Sequence, residues 1–421
     1  MKTTPIAWEH RQHFGALDWA RDHHDIAVVD AKGTIVLQLR FEQTPEGWAS
    51  LRAALAPFGP GLAVAVETNQ GLAVEQLVDA GCTVYPVNPK SASHYRTRKA
   101  PAGAKDDQRD AWSLADALRV DGHGWRALVP DDPLVAELRL LTRDEVALIS
   151  QRTALINELR SALAAYYPAA LTAFDTWTCE GCWSFVETFP TPAALAKAGR
   201  KKWEKFLRAH QLWKEASAER RLAIFASAAS LSGCAATVAA KSFMAVSLVR
   251  VLRVLQTQLD AYRTRIQERF SQHPDAGLFG SLPGVGVKLA PRLLAEIGDN
   301  RARFATAEGL QAYGGTAPVT FQSGQIEKHL VRRACQPFLR SALHLWADRS
   351  RLTCAWADEY YRAHRKKGQS HACALRCLGQ RWVKILCKMW QTSTPYDESR
   401  HLANQRKHGS PFAPPLTTKT A

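Results

Sequence analysis

The sequence predicts a mixed α/β domain at residues 10–130, followed by long helices and a mostly helical carboxyl-terminal region. Three observations support this fold class. Short apolar strands alternate with helical segments up to about residue 130. Two regular apolar stripes follow, with the spacing of coiled-coil helices. From residue 276 the chain is dense in Arg, Lys, Trp and His, in segments with helical spacing.

The first domain is predicted to begin with three antiparallel strands. The segments 15–20, 25–30 and 33–39 are short and apolar, and a turn signal at residues 30–33 separates the second strand from the third. A helix is expected at 45–55, and residues 62–67 form a continuous apolar run that is typical of a strand buried on both faces.

The rest of this domain is predicted to contain two more helices and one more strand. The expected elements are a helix at 71–79, a strand at 82–87, a basic loop at 90–105 and a helix at 107–120. Three antiparallel strands followed by a β-α-β unit and a helix is the order of a ribonuclease-H-like layer.

Two leucine-rich stripes at steps of three, four or seven predict a pair of long helices within residues 131–275. The first comprises Leu134, Leu138, Leu141, Leu148, Leu155, Leu159 and Leu163, and the second Leu248, Leu252, Leu255, Leu259, Tyr262 and Ile266. They can pair with each other or with another subunit, and the pattern leaves this open. A homo-oligomer, dimer or tetramer, is therefore expected. Residues 168–240 resemble an inserted helical subdomain.

The carboxyl-terminal part is predicted to comprise a helical domain at 276–392 and a disordered tail at 393–421. The tail is polar and contains proline.

The charge of the chain points to a polyanionic partner. The 421 residues include 55 Lys and Arg against 39 Asp and Glu, a formal net charge of +16. This excess is spread along the chain, which favours nucleic acid over a basic tail on a neutral enzyme.

No segment has the length and apolarity of a membrane span or a secretory signal, so a cytoplasmic, nucleoid-associated protein is expected. The nine cysteines then are expected to be reduced thiols. Cys179 and Cys182 form a CxxC pair, but no second pair completes a zinc site, so idle thiols are favoured over zinc.

Four carboxylates are candidates for a metal site that binds Mg²⁺ or Mn²⁺. Asp18 lies within an apolar strand, where an unpaired charge is costly. Glu67 ends another apolar strand, and Asp107 and Asp110 are three residues apart at a helix start, hence on one face. Two such ions can clamp the attacking and leaving oxygens of a phosphodiester. The alternative for the helix-start residues Asp106 and Asp107 is capping.

A helix-hairpin-helix-like turn is predicted at residues 282–290. Gly284 and Gly286 allow backbone N–H groups to approach a phosphate at a helix start, with Lys288 beside them. A tight helix-helix turn is the alternative.

Ser323 follows in a predicted loop between two helices. A serine nucleophile requires activation, and cations near it can stabilise charge on a phosphate. A turn-forming role is the alternative. The basic residues expected to contact nucleic acid are Arg96, Arg98, Lys99 and Lys105 in the first domain, and Lys328, Arg332, Arg333 and Arg340 after Ser323.

Five motifs in one order resemble the DEDD insertion-sequence transposases, also called bridge-RNA-guided serine recombinases. They begin at Gly15 (GALDWA), Val66 (VETN), Lys105 (KDDQRDA), Leu282 (LPGVG) and Ala312 (AYGGTAP, then QSG), and the match covers roughly residues 14–350.

The resemblance implies a ribonuclease-H-like (RuvC-like) domain that holds the metal through Asp18, Glu67, Asp107 and Asp110. It implies that Ser323 is the nucleophile that forms a transient phosphoserine link to DNA, with the metal site from one subunit and the serine from another. It also implies a non-coding guide RNA that pairs with donor and target DNA.

The sequence departs from the family pattern in two motifs. Asp106 stands where the family usually has Thr, and could be an alternative metal ligand. The segment that follows Ser323 and Gly324 lacks the glycine that many members carry. Details of nucleic-acid contact are therefore open.

Two other functions fit parts of the pattern. A metal-dependent junction endonuclease needs the carboxylates without the serine. A nucleic-acid-binding protein with a degenerate active site needs only the basic charge and the turn.

Overall fold

A computed structural model describes residues 7–99, 107–231 and 233–412. The chain divides into two compact units, residues 1–130 and 131–421. Lys105 and Asp106 lie outside the described residues.

The first unit is built on a five-stranded mixed sheet, as the sequence predicts. The strands are β1 (His13–Trp19), β2 (His23–Asp30), β3 (Ile35–Glu42), β4 (Ala63–Val66) and β5 (Thr83–Pro86). Their order across the sheet is β3-β2-β1-β4-β5. The first three strands pair antiparallel, whereas β4 runs parallel to β1 and β5 parallel to β4.

Helices cover both faces of this sheet. They are α1 (Pro45–Leu55), α2 (Leu72–Asp79), α3 (Pro89–Lys99) and α4 (Asp107–Asp121). Side chains alternate between the two faces of a strand. Leu17 and Val64 pack in one core with α1 and α2, and Ala16 and Ala65 in the other with α3 and α4. Strands β1, β2 and β4 are therefore buried on both faces, which explains their continuous apolar runs, whereas the edge strand β3 is largely exposed.

The prediction of a loop at 90–105 is wrong for residues 90–99, because α3 begins at Pro89. Pro89 occupies the first helical position, where its missing N–H costs nothing, and the Asn88 side chain accepts a hydrogen bond from the Lys90 backbone. Most residues of this helix are polar, and its Ala92 is buried. An apolar periodicity that could reveal the helix is therefore absent from the sequence.

Two long helices, α5 (Pro133–Tyr166) and α10 (Ala235–Ser271), pack against each other in the second unit. The pairing is antiparallel. The Arg152 guanidinium contacts Gln256 at 2.7 Å, and the Arg263 guanidinium contacts Glu145 at 3.2 Å. The two predicted stripes thus pair within the chain, and they do not by themselves call for a second subunit.

Four shorter helices lie between α5 and α10 in sequence. They are α6 (Pro168–Ala173), α7 (Glu180–Thr188), α8 (Pro192–Ala209) and α9 (Glu215–Ser227). Their aromatic side chains form a core with the adjoining ends of α5 and α10, in which Trp183 and Phe185 are fully buried.

The remaining elements surround a second core that contains the buried Trp346, Trp382 and Trp390. Its helices are α11 (Ala276–Gly280), α12 (Gly286–Ile297), α13 (Ala307–Tyr313), α14 (Pro337–Ser350), α15 (Ala355–Lys366) and α16 (His371–Gln391). A two-stranded hairpin, β6 (Val319–Ser323) and β7 (Ile326–Leu330), lies between α13 and α14.

The prediction of a disordered tail from residue 393 is wrong up to residue 412. Helix α17 (Glu398–Lys407) begins after Asp397, whose side chain accepts a hydrogen bond from the Arg400 backbone. Tyr396 anchors this segment, since its hydroxyl accepts a hydrogen bond from Trp356 Nε1 at 3.1 Å. Residues 413–421 of the predicted tail lie outside the described residues.

None of the helices in the described parts of the chain is both long enough and apolar enough to cross a membrane.

Candidate active site

The predicted acidic residues meet on one face of the first unit's sheet. Asp18 lies in β1 on the face that holds Ala16, and Glu67 follows β4 on the face that holds Ala65. Because β1 and β4 are parallel neighbours with Leu17 opposite Val66, their carboxyl ends bring the two acids side by side. Helix α4 packs over this face and contributes its first turn.

Three of the four predicted carboxylates form a compact group. Asp18, Asp107 and Asp110 each place an oxygen within 4.8 Å of the others. Asp107 and Asp110 are one turn apart on α4, so both reach the sheet. Glu67 stands beside this group, where Arg96 binds it. The structure thus brings together the four carboxylates, with Glu67 at the margin.

The site is electrostatically crowded. Burial, followed by the negative charges of Glu67, Asp110 and Asp107, raises the pKa of Asp18 from 3.8 to about 6. Like charges in a partly desolvated site disfavour ionisation. A cation bound among these oxygens would remove that penalty.

Arg96 of α3 supplies such a positive charge from the protein itself. Its guanidinium lies 2.8 Å from Asp110 and 3.3 Å from Glu67. Arg96 is predicted from sequence to contact nucleic acid, whereas the structure places it in the acidic group. Arg98 on the same helix is exposed.

A second group of potential ligands was missed from sequence. His23, Asp25 and Asp107 also place ligand atoms within 4.8 Å of one another, so Asp107 belongs to both groups. Asp25 is the cross-strand partner of Asp18 and is buried. The Arg40 guanidinium binds it through two contacts of 2.9 and 3.0 Å. A charged residue inside the apolar strand β2 was the signal that could have revealed it.

The donor set fits a hard divalent cation. Asp18, Asp107 and Asp110 offer carboxylate oxygens, which Mg²⁺ and Mn²⁺ prefer. His23 Nε2 is buried 3.6 Å from Asp107 and has no hydrogen-bond partner among the residues the structure describes. Asp107 belongs to both groups, so it would be available to a cation held by either of them.

Because negative charges crowd around Asp18, we predict an unusual dependence of folding stability on pH. Asp18 has a higher pKa in the folded than in the unfolded chain, so the folded state holds more protons between about pH 4 and 6. Stability without divalent ions should therefore fall as pH rises through this window. We expect the Asp18→Asn variant to lose this dependence and to be more stable at neutral pH by about 1–3 kcal/mol. Thermal unfolding in a chelator across the window measures this effect, and equal melting curves for both proteins would contradict it.

We expect Arg96 to lower the affinity of the free protein for divalent metal ions. The Arg96→Gln variant removes the cation that competes for Glu67 and Asp110, so we expect Mn²⁺ to bind several-fold more tightly. Titration of free Mn²⁺ by electron paramagnetic resonance measures the affinity. The exposed Arg98 on the same helix gives a matched control, Arg98→Gln, which should leave it unchanged. A weaker or equal affinity in Arg96→Gln would oppose this interpretation.

Ser323 lies at the tip of an exposed hairpin in the second unit, rather than in a loop between helices as predicted. It ends β6 and pairs with Ile326 across the two-residue turn formed by Gly324 and Gln325. Gly324 has φ +57°, as the first central position of a primed hairpin turn requires. The alternation of Val319, Phe321 and Ser323 was the overlooked strand signal. A tight turn thus presents the serine to solvent.

The cations that follow Ser323 differ in their surroundings. Lys328 and Arg333 are exposed, whereas Arg332 and Arg340 are half-buried. The Arg340 guanidinium donates hydrogen bonds to Cys335 Sγ and to the Arg333 carbonyl. The exposed pair is therefore better placed for a phosphate.

The predicted helix-hairpin-helix turn joins α11 to α12. Gly284 has φ +76°, and a Cβ there would lie 2.8 Å from backbone atoms of Arg349 and Ser350. Packing against the end of α14 thus accounts for this glycine. Gly286 has open space around its Cα, and Lys288 is exposed.

The CxxC pair lies at the start of α7. The two sulfur atoms of Cys179 and Cys182 are 3.1 Å apart. Within the described ranges, the groups of three or more potential ligands contain only His and Asp, so these thiols have no third ligand there.

Comparison with known proteins gives consistent matches over most of the chain. Residues 16–168 match a DEDD family model described as transposase, and residues 276–362 match one described as transposase of the IS116/IS110/IS902 family. A mini-circle putative transposase for IS117 from Streptomyces coelicolor is 34% identical over 93% of this chain and 96% of its own length.

Two further relatives are uncharacterised proteins of insertion elements. A 42 kDa protein of IS900 from Mycobacterium paratuberculosis is 28% identical, over 91% of this chain and 96% of its own. A 43.6 kDa protein of IS110 from Streptomyces coelicolor is 29% identical, over 89% and 93%.

Proposed function

The chain belongs to the IS116/IS110/IS902 family of transposases, and we propose that it inserts and excises a mobile DNA element. The proposed reaction is metal-assisted strand exchange through a covalent phosphoserine intermediate. Transposases cleave and rejoin DNA, so the enzyme acts on phosphodiester bonds. The excess of positive charge, +16, suits such a polyanionic substrate.

The observation that carries the proposal is the meeting of Asp18, Glu67, Asp107 and Asp110 at one sheet edge. Carboxylates repel one another, and so close a set is costly unless a cation offsets it. We assign these four residues to binding Mg²⁺ or Mn²⁺. When bound, the ion would polarise the reacting phosphate and stabilise the charge that develops on its oxygens.

Ser323 is the proposed nucleophile. Its Oγ forms a bond to phosphorus while one P–O bond to deoxyribose breaks, and the serine proton passes to the leaving oxygen. A hydroxyl of another strand then attacks the phosphoserine, regenerates the serine hydroxyl and joins the new strand. The number of phosphodiester bonds is conserved, so no external energy source is needed. The exposed position of Ser323 supports access to DNA.

The proposed partners are DNA at the element ends and target, a non-coding guide RNA and further copies of this chain. The resemblance implies the RNA and a pairing of acids and serine from different subunits. An exposed apolar stripe on α10, formed by Phe243, Val251 and Val254, supports a homo-oligomer. We place the reaction in the bacterial cytoplasm, at the nucleoid.

The direct test is strand exchange by the purified full-length chain. The protein is incubated with DNA carrying the element junction, its target, RNA transcribed from the flanking region, and Mg²⁺. We expect recombined strands that disappear with chelator and with omission of the RNA. Exchange that persists in chelator would overturn the metal assignment, and exchange without RNA would overturn the guide.

A further inference from the structure

We propose that the first unit contains a pocket for a nucleobase, which holds the DNA nucleotide next to the reacting phosphate, with Trp19 as its stacking surface. The inference rests on the proposed function, because it places the phosphate at Asp18 and Glu67. It adds a base-binding site that shares the sheet edge with the acids.

The pocket is a cavity of about 490 Å³ at the carboxyl ends of β1 and β4. This volume lies within the range of small-molecule sites, about 300–1,000 Å³. Its lining is mostly apolar and includes Trp19, Trp48 and Leu72. An adjoining cavity of about 360 Å³ shares Trp48 and Leu72 with this pocket and reaches Arg52.

The pocket and the acids are neighbours, because side chains along a strand alternate between the two faces of the sheet. Asp18 and Trp19 are consecutive in β1, and Glu67 and Thr68 are consecutive after β4. Consecutive side chains point to opposite faces, and a strand rises about 3.3 Å per residue. Asp18 and Trp19 therefore lie on opposite sides of the sheet. The charge of Glu67 acts on Asp18, and Thr68 lines the pocket with Trp19. A nucleotide next to a phosphate at the acids is within reach of the pocket.

Trp19 has the exposure of a ligand platform rather than of a core residue. Trp19 is 49% exposed, whereas Trp48 of the same unit is 5% exposed. Stacking on an aromatic ring suits every base, since each has a π-face. Arg21 borders the cavity and its side chain is 96% exposed, which suits a backbone phosphate.

Gln43 gives the pocket a fixed polar group. Trp48 Nε1 can only donate, and it donates to Gln43 Oε1 at 3.1 Å. His24 Nδ1 accepts from the Ala20 backbone, so its Nε2 is the protonated nitrogen and also donates to Gln43 Oε1. The Gln43 amide is therefore oriented. Among the residues the structure describes, none accepts a hydrogen bond from its Nε2. This amide offers donors to the carbonyl or ring nitrogen of a base.

Photocrosslinking tests the pocket without requiring catalysis. DNA carries 5-iododeoxyuridine at one position at a time around the reacting phosphate, and is irradiated with the full-length Asp18→Asn protein. We expect one position to crosslink to Trp19, located by mass spectrometry. Crosslinks only to residues outside the pocket would overturn the proposal, as would a crosslink to Trp19 from iodouridine in the RNA alone.

A mutant cycle gives the second measurement. An abasic nucleotide at the crosslinking position should weaken DNA binding by wild type about ten-fold, and Trp19→Ala should do the same. The two changes together should add little, because both remove one contact. Trp19→Phe should restore most of the affinity, whereas Ile35→Ala, an exposed apolar change on β3, should have no effect.

The outcomes separate the pocket from the function. Additive losses in the cycle would refute the pocket while strand exchange stands. Trp19 crosslinking and a non-additive cycle in a protein that exchanges no strands would refute the recombinase function and leave a base-binding site.

Discussion

The Asp18→Asn variant is expected to lose strand cleavage and exchange by about 10³-fold or more. Asp18 lies at the centre of the acidic group, since the charges of Glu67, Asp110 and Asp107 all act on it. An amide keeps the shape of the side chain but removes the negative charge that we propose binds a divalent ion. Loss of several kcal/mol of charge stabilisation corresponds to a rate loss of this size.

The measurement is the rate of DNA strand cleavage at saturating Mg²⁺. Asp22→Asn is the matched control, because Asp22 is an exposed carboxylate in the adjoining β1–β2 turn and should retain full activity. DNA binding by Asp18→Asn should persist. A variant that still cleaves within ten-fold of wild type would show that these carboxylates do not hold the essential ion.

The Ser323→Ala variant is expected to lose strand exchange by about 10⁴-fold or more and to form no protein-DNA adduct. A hydroxyl that forms the covalent bond has no substitute, and removal of a nucleophile has costs of this order. Ser323 is exposed at a hairpin turn, so alanine there should leave the fold and its melting temperature unchanged.

Denaturing electrophoresis with end-labelled DNA measures the adduct. Thr320→Ala removes a hydroxyl from the same strand and provides the control, because alternation places Thr320 on the other face of the hairpin. Hydrolysed DNA ends from both wild type and Ser323→Ala, without any adduct, would instead favour a metal-dependent endonuclease.

Much of the fold could be predicted from sequence because its signals are periodic. The apolar run before Glu67 and the two leucine stripes depend on burial, and burial repeats at the spacing of the element. Helices α3 and α17 were missed because they bury little, α3 little beyond Ala92. Their polar sequences have no apolar period, and they are fixed by caps and single anchors such as Tyr396.

The acids of the candidate site could be predicted from the sequence, but the residues that surround them could not. Asp18 stands out because it interrupts an apolar strand, and Glu67 because it follows one directly. Asp25 interrupts one too, but its pairing with Arg40 depends on the register of β2 against β3. The position of Arg96 depends on how α3 packs, which no local pattern encodes. Ser323 was a candidate because cations follow it, and the resemblance implied its role as nucleophile, but its hairpin was overlooked.

Through Arg96, the binding of a metal ion and the binding of nucleic acid would be linked. The guanidinium can neutralise Glu67 and Asp110, or it can contact a phosphate, but it cannot do both fully. A nucleic acid that draws Arg96 away exposes the acids to a divalent ion, and an ion bound there releases Arg96 toward the nucleic acid. Linkage requires each ligand to strengthen the other by the same factor. In the proposed mechanism, metal binding would therefore depend on the presence of DNA, and protein without DNA would remain free of metal and inert toward other phosphodiesters.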